Sequence, residues 1–138
     1  MDLSASIIIE RPVEDVFAYV IDVEHDARWR SGVTRSELVS PPPLSEGSEG
    51  QTQAGKTVVR WRVVTFEAGR RVDWELLDGP IRGNGGYRVE PRGAHTLFTL
   101  HAEVHPSGLF RLVGPLFGLI GRRQNRKDVA VLKQLMER

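Results

Sequence analysis

Gly50-Gln51-Thr52-Gln53-Ala54-Gly55-Lys56-Thr57 fits the phosphate-loop pattern G-x-x-x-x-G-K-[ST] letter for letter. That pattern serves nucleotide binding when a buried strand precedes it and a helix follows, whose first N–H groups receive the phosphates. Here a proline- and serine-rich loop precedes the match, and Thr57-Val58-Val59-Arg60-Trp61-Arg62 follows with the period of a strand. No helix N-terminus is available, so the match reads as chance and no nucleotide partner is expected. His101, Glu103 and His105 stand at i, i+2, i+4, from which side chains could converge on a metal. Phe98, Leu100, Ala102 and Val104 occupy the other face of that strand. The two histidines and the glutamate should therefore meet water, and no metal site is expected. Gly83-Asn84-Gly85-Gly86 precedes no helix and reads as a strand bend or a place of close backbone approach. Gly47-Ser48-Glu49-Gly50 is one residue short of the G-x-S-x-G elbow and lies in a loop. Serine hydrolase chemistry is thus unsupported, and no cofactor is expected.

The remaining chemistry belongs to a set of aromatic side chains. Trp61, Trp74, Tyr87 and Phe98 fall on the same side of alternating strands and should face Leu116, Phe117 and Ile120 of a terminal helix, with Trp29 near one end. Such an apolar concavity is either plain core or the wall of a ligand cavity, because aromatics dominate both. Tyr87 could donate a proton or orient a carbonyl; Gln124 could only hydrogen-bond. No catalytic constellation is evident.

Positioning these side chains requires a curved sheet and something to fill it. Leu3 to Glu10 reads as the first strand, stopped by Arg11-Pro12. Val13, Val16, Phe17, Val20 and Ile21 then repeat at helical spacing. Asp22 is placed to N-cap a second short helix through His25 to Trp29, and we prefer this capping role to a catalytic one. Strands follow at Val33 to Val39, Gly50 to Ala54, Thr57 to Phe66, Val72 to Leu76, Arg82 to Glu90 and Thr96 to His105, divided by Pro41-Pro42-Pro43, Gly55-Lys56, Ala68-Gly69, Asp78-Gly79-Pro80 and Pro91-Arg92-Gly93-Ala94. A two-residue loop at Ala68-Gly69 sets Arg62 opposite Glu75, Val63 opposite Trp74 and Trp61 opposite Leu76, which pairs charge with charge and apolar with apolar.

The terminal stretch from Leu109 to Met136 carries apolar residues at Leu109, Leu112, Val113, Leu116, Phe117 and Ile120, and again from Val129 to Met136. It is the natural partner for the sheet's apolar face. Extending the first stripe leads through Arg123, Gln124 and Lys127. Either the helix bends near Gly114-Pro115, Gly118 and Gly121, or the cavity has a polar end; proline and glycine favour the bend. The fold expected is α+β: a seven-stranded curved antiparallel sheet wrapped around a long C-terminal helix, with two short helices after the first strand.

Composition narrows the partners. A chain of 138 residues fits one domain spanning 1–138, and a chain this size buries roughly 68–70% of its unfolded surface. With 19 basic and 18 acidic side chains the formal charge is +1, which offers no field for nucleic acid. The local cluster Arg122, Arg123, Arg126 and Lys127 reads as a solvated helix face in preference to a contact with an anionic ligand or membrane. Cysteine is absent, excluding disulfides and thiol chemistry. Met1 to Ser6 has no basic leader, and no uninterrupted run reaches the ~18 apolar residues of a membrane span, so no integral membrane segment and a cytoplasmic location are expected. Oligomeric state is not legible.

The order strand, two helices, six strands, long helix resembles the START-like, or SRPBCC, ligand-binding superfamily. The local similarity lies in Ile9-Glu10-Arg11-Pro12-Val13-Glu14-Asp15-Val16-Phe17 and in Ile21-Asp22-Val23-Glu24-His25-Asp26-Ala27-Arg28-Trp29, extended by Gly50, the Glu67-Ala68-Gly69-Arg70 turn and the terminal helix. It looks most similar to the polyketide cyclase/dehydrase-like group. The resemblance implies the helix-grip fold and a small hydrophobic or aromatic ligand held between sheet and C-terminal helix, with Trp29, Trp61, Trp74, Tyr87, Phe98, Leu116, Phe117, Ile120 and Gln124 as candidate contacts. It leaves open a cyclase or dehydratase activity, and an interaction module of the chaperone-activator type.

Overall fold

The computed structural model describes residues 1–78, 81–106, 112 and 114–138. Seven strands form one antiparallel sheet: β1 (Ala5–Ile9), β2 (Val33–Leu38), β3 (Glu49–Ala54), β4 (Thr57–Glu67), β5 (Arg71–Leu76), β6 (Ile81–Arg92) and β7 (His95–Pro106). Their order across the sheet is β1-β7-β6-β5-β4-β3-β2, which puts the first two strands at opposite edges. Between them in sequence lie α1 (Val13–Ile21), a 3-10 turn (Val23–His25) and the one-turn α2 (Asp26–Trp29); α3 (Gly114–Met136) follows the last strand. The expected helix-grip architecture is what forms. Asp22 caps the 3-10 turn in place of α2 itself: its Oδ1 accepts from the Glu24 N–H at 3.2 Å, and His25 stands at the N-cap of α2. The sheet curls around a core in which Ile9, Val63, Val72, Val89, Phe98 and Leu100 meet Val16, Phe17 and Val20 of α1 and Val129, Leu132 and Met136 of α3.

The phosphate-loop match is a hairpin. Gly50 to Ala54 lies in β3, Gly55-Lys56 is the turn, and Ala54 pairs with Thr57 at the start of β4. The next hairpin departs from expectation in an instructive way. Glu67 pairs with Arg71, not Arg70, so the loop has three residues, Ala68 to Arg70, with Gly69 at φ 74°. Beyond a register shift between Val63 and Thr65, the pairs Val63–Trp74, Arg62–Glu75 and Trp61–Leu76 are the expected ones. One extra residue in the turn is cancelled by a bulge at Val64, and the side chains facing the core come out unchanged.

The terminal helix corrects a larger expectation. Leu116 and Ile120 are exposed and Phe117 is only half-buried; Leu109 and Val113 lie outside the described residues. The buried face instead carries Gly114, Gly118, Asn125, Asp128, Val129, Leu132 and Met136. The cause is backbone proximity. A Cβ on Gly118 would lie 2.9 Å from Met1 Sδ, and one on Gly121 would lie 2.7 Å from Leu3 Cδ1, so the helix docks through its glycines and its leucines turn outward. Arg123, Gln124 and Lys127 are exposed as well. Polar atoms do face inward, but from Asn125 and Asp128.

Candidate functional site

The terminal helix does not line the main apolar cavity. That cavity, of about 250 Å³, lies between β3–β6 and the segment from the end of α1 through α2. Val20, Ile21, Val23, Val33 and Leu44 close one side; Val59, Trp61, Val63, Val72, Trp74 and Leu76 form the sheet side. Four further residues, Asp26, Arg30, Thr52 and Tyr87, bring polar groups to the wall.

Strand alternation puts Trp61, Trp74 and Tyr87 on this face, and small residues make room for them. Gly50 pairs with Trp61, and a Cβ there would sit 2.3 Å from the indole ring, so only glycine lets the tryptophan lie flat across β3. Trp61 Nε1 then donates to Thr52 Oγ1 at 3.0 Å, and that hydroxyl is 2.8 Å from Ser36 Oγ. The indole is thereby fixed at both ends. Trp74 meets Tyr87 edge-on, with ring centroids 4.7 Å apart.

Of the nine candidate contacts read from sequence, the structure brings Trp61, Trp74 and Tyr87 together on the cavity wall. Trp29 and Phe98 are buried behind Tyr87, with centroids 5.5 and 5.6 Å from its ring, and act as its packing. Leu116, Phe117 and Ile120 do not reach the cavity. Gln124 faces outward and donates through Nε2 to the Ser31 carbonyl at 3.1 Å.

Sequence reasoning missed Asp26, Arg30 and Asp128. Asp128, fully buried on α3, accepts from Arg30 Nε at 3.2 Å, from the Ser31 N–H at 3.1 Å and from the Ser31 hydroxyl. It ties the guanidinium through Nε and so fixes Arg30 on the wall of the cavity, beside Tyr87. The Arg30 guanidinium also lies 5.4 Å from the centre of the Trp29 ring, a cation–π distance. Burial works against its charge, yet Tyr87 and Asp128 hold the Arg30 pKa above its ordinary value. The Tyr87 phenol is pushed up by burial and by the Asp26 charge, so it stays a hydroxyl donor throughout the neutral range. Asp26 has an Oδ1 that is buried with no hydrogen-bond partner. Burial pushes its carboxyl up to about 6, against the pull of Arg30. One signal could have exposed this group: Asp128 shares a helical stripe with Val129, Leu132 and Met136, where a carboxylate demands a partner.

The wall thus offers the Arg30 guanidinium, the Tyr87 hydroxyl and one carboxyl raised to about 6, at the edge of an aromatic slot. A guanidinium and a hydroxyl side by side can hold an oxygen, and a carboxyl titrating near 6 can give or take a proton. A larger groove of about 580 Å³, bordered by Asp73, Glu75, Asn84, Arg88, His101 and His105, mixes charged and polar groups with apolar ones. Glu103 and His105 are themselves exposed. Among the described residues no three His, Asp or Glu side chains are placed to hold a metal ion. Among them, too, no helix is long and apolar enough to cross a membrane.

Fold and sequence agree on the class. Residues 1–137 match the family described as polyketide cyclase / dehydrase and lipid transport, and the chain belongs to that family. Among solved structures, a START superfamily protein from Mycobacterium smegmatis superposes with a TM-score of 0.83 at 15% identity, covering 99% of this chain and 97% of that one. A protein of Thermus thermophilus gives 0.79 at 18% identity, with 97% and 95% covered. The Zhui aromatase/cyclase of Streptomyces sp. R1128 gives 0.77 at 13% identity, with 100% and 94% covered. At these identities the likeness is one of fold. No curated protein matches the sequence.

Proposed function

We propose that this protein binds a small aromatic or otherwise apolar molecule carrying one oxygen function, held in the cavity between β3–β6 and α2. The observation that carries the reading is the pairing of an apolar slot walled by Trp61 and Trp74 with a polar group, Arg30, whose orientation is fixed by buried Asp128. A cavity of about 250 Å³ lies just under the range of about 300–1,000 Å³ usual for drug-sized ligands, which points to a molecule of one or two rings. Edge and face contacts with the indoles contribute on the order of 1 kcal/mol each. The oxygen meets the Arg30 guanidinium and the Tyr87 hydroxyl. A plain core is the competing explanation, and it predicts stability without binding.

The test is a fluorescence titration with paired one- and two-ring compounds that do or do not carry a carbonyl or hydroxyl. We expect quenching or a spectral shift by the oxygenated members, and weaker binding in Trp61→Leu and Trp74→Leu with folding retained. If no compound binds the wild type and both variants are strongly destabilised, the aromatics are core and the reading falls.

A second reading has its own support. Asp26, titrating near neutrality beside a cavity with two oxygen-directed donors, is placed as a general base for proton abstraction next to a carbonyl polarised by Arg30 and Tyr87. Cyclisation or dehydration of a carbonyl compound would need such a step. A turnover rate that follows an apparent pKa near 6 and is lost in Asp26→Asn, with ligand affinity kept, distinguishes this enzyme from a binder.

A further inference from the structure

The outward face of α3 between its first turn and Lys127 is arranged in two blocks. Leu116 is 58% exposed, Leu119 46% and Ile120 56%, and Leu112, just before the helix, is 81% exposed. Arg122, Arg123, Arg126 and Lys127 follow immediately and are exposed too. At about 100° per residue, positions 116, 119, 120, 123, 126 and 127 fall within an arc of about 120°. The opposite side is the buried one, with Gly118, Asn125 and Asp128. From Leu112 to Lys127 the sequence contains no acidic residue, and the Asp128 that follows is buried on the other side, so the exposed arc itself carries nothing to neutralise the basic block. None of these residues lines the cavity, so a role for this face is independent of any ligand held there.

Exposed leucines grouped this closely need a partner, and the partner must satisfy both blocks. A second copy packed parallel across a two-fold axis would set the two basic blocks against each other, and one packed antiparallel through the apolar blocks would leave both basic blocks without an acidic partner. Nucleic acid would use the arginines and leave the leucines in water. We infer that this face of α3 docks on an anionic bilayer surface, with Leu112, Leu116, Leu119 and Ile120 at the acyl boundary and Arg123, Arg126 and Lys127 on the headgroup phosphates. An interfacial helix buries such a face about 5–10 Å deep and gains from both apolar burial and charge.

The full-length protein is tested by co-sedimentation with vesicles of phosphatidylcholine, with and without phosphatidylglycerol. Binding should appear with the anionic lipid, weaken steeply as salt is raised, and fall roughly fivefold per charge removed in Arg123→Gln, Arg126→Gln and Lys127→Gln. Leu116→Glu with Ile120→Glu should abolish it. Both positions are exposed, so circular dichroism and the unfolding midpoint should stay near wild type and separate lost docking from lost folding. Absence of any preference for phosphatidylglycerol, or unchanged binding in the leucine and isoleucine double variant, overturns the inference. Concentration-dependent dimerisation that the double variant removes, without vesicle binding, overturns it in favour of a second copy.

Discussion

The two halves of α3 are one continuous helix with opposite architectures. The second half sends Asp128, Val129, Leu132 and Met136 inward and leaves mainly polar residues outside. The first half sends glycines inward and leaves Leu116, Leu119 and Ile120 outside. The second half gains its attachment from apolar area and from the Asp128 clasp on Arg30 and Ser31; the first gains it from close approach to Met1 and Leu3. The difference teaches that an apolar stripe is not by itself a statement about the core. Where glycines occupy the other side, the backbone itself becomes the packing surface.

This contrast can be broken most forcefully at Asp128. Asp128→Ala empties a fully buried site, leaves the partly buried Arg30 guanidinium and the Ser31 N–H without their partner, and should destabilise by about 3–5 kcal/mol in denaturant titration. Leu132→Ala, in the same half, should cost about 2–5 kcal/mol, since it empties a fully buried site. Asp26 sharpens the picture from the cavity side of the clasp. Its ordinary value is 3.8 and burial raises it to about 6. The folded chain therefore holds a proton that the unfolded chain has already lost, and stability declines as pH rises through that window. Asp26→Asn should gain on the order of 2–3 kcal/mol at about pH 8, and the gain should vanish below about pH 4. The smallest effect belongs to the outer half: Leu116→Ala and Ile120→Ala should each move stability by no more than about 0.5 kcal/mol. Were either to cost as much as Leu132→Ala, the two halves would not differ as described.

Much of the fold was legible because strands advertise themselves by alternation and turn residues. Val13 to Ile21 and the pairing of Trp61, Val63 and Arg62 with β5 came out as read. That pairing was reached through compensating differences, since the hairpin loop is one residue longer than read and Val64 is bulged. Side-chain parity is what the core enforces, so it survives local slips that turn residues do not reveal. Parity also placed Trp61, Trp74 and Tyr87 on the cavity side. The phase of the terminal helix was not legible from hydrophobicity alone, because Gly114, Gly118 and Gly121 contribute no apolar side chain yet fix the docked face. Nor was the polar end of the cavity. Asp26 opens and Arg30 follows a single helical turn, too short for any periodicity, and the partner of Arg30, Asp128, lies 98 residues away.

On the proposed reading, the Asp26 carboxyl, raised to about 6, makes occupancy of the cavity an exchange with the surrounding buffer. A ligand that presents a hydrogen-bond donor to it favours the carboxylate and expels part of a proton; one that presents an acceptor draws part of a proton in. The heat of association measured near neutral pH will therefore depend on the buffer's own ionisation enthalpy. The sign of that dependence reports which kind of group faces Asp26, before any ligand has been seen in place.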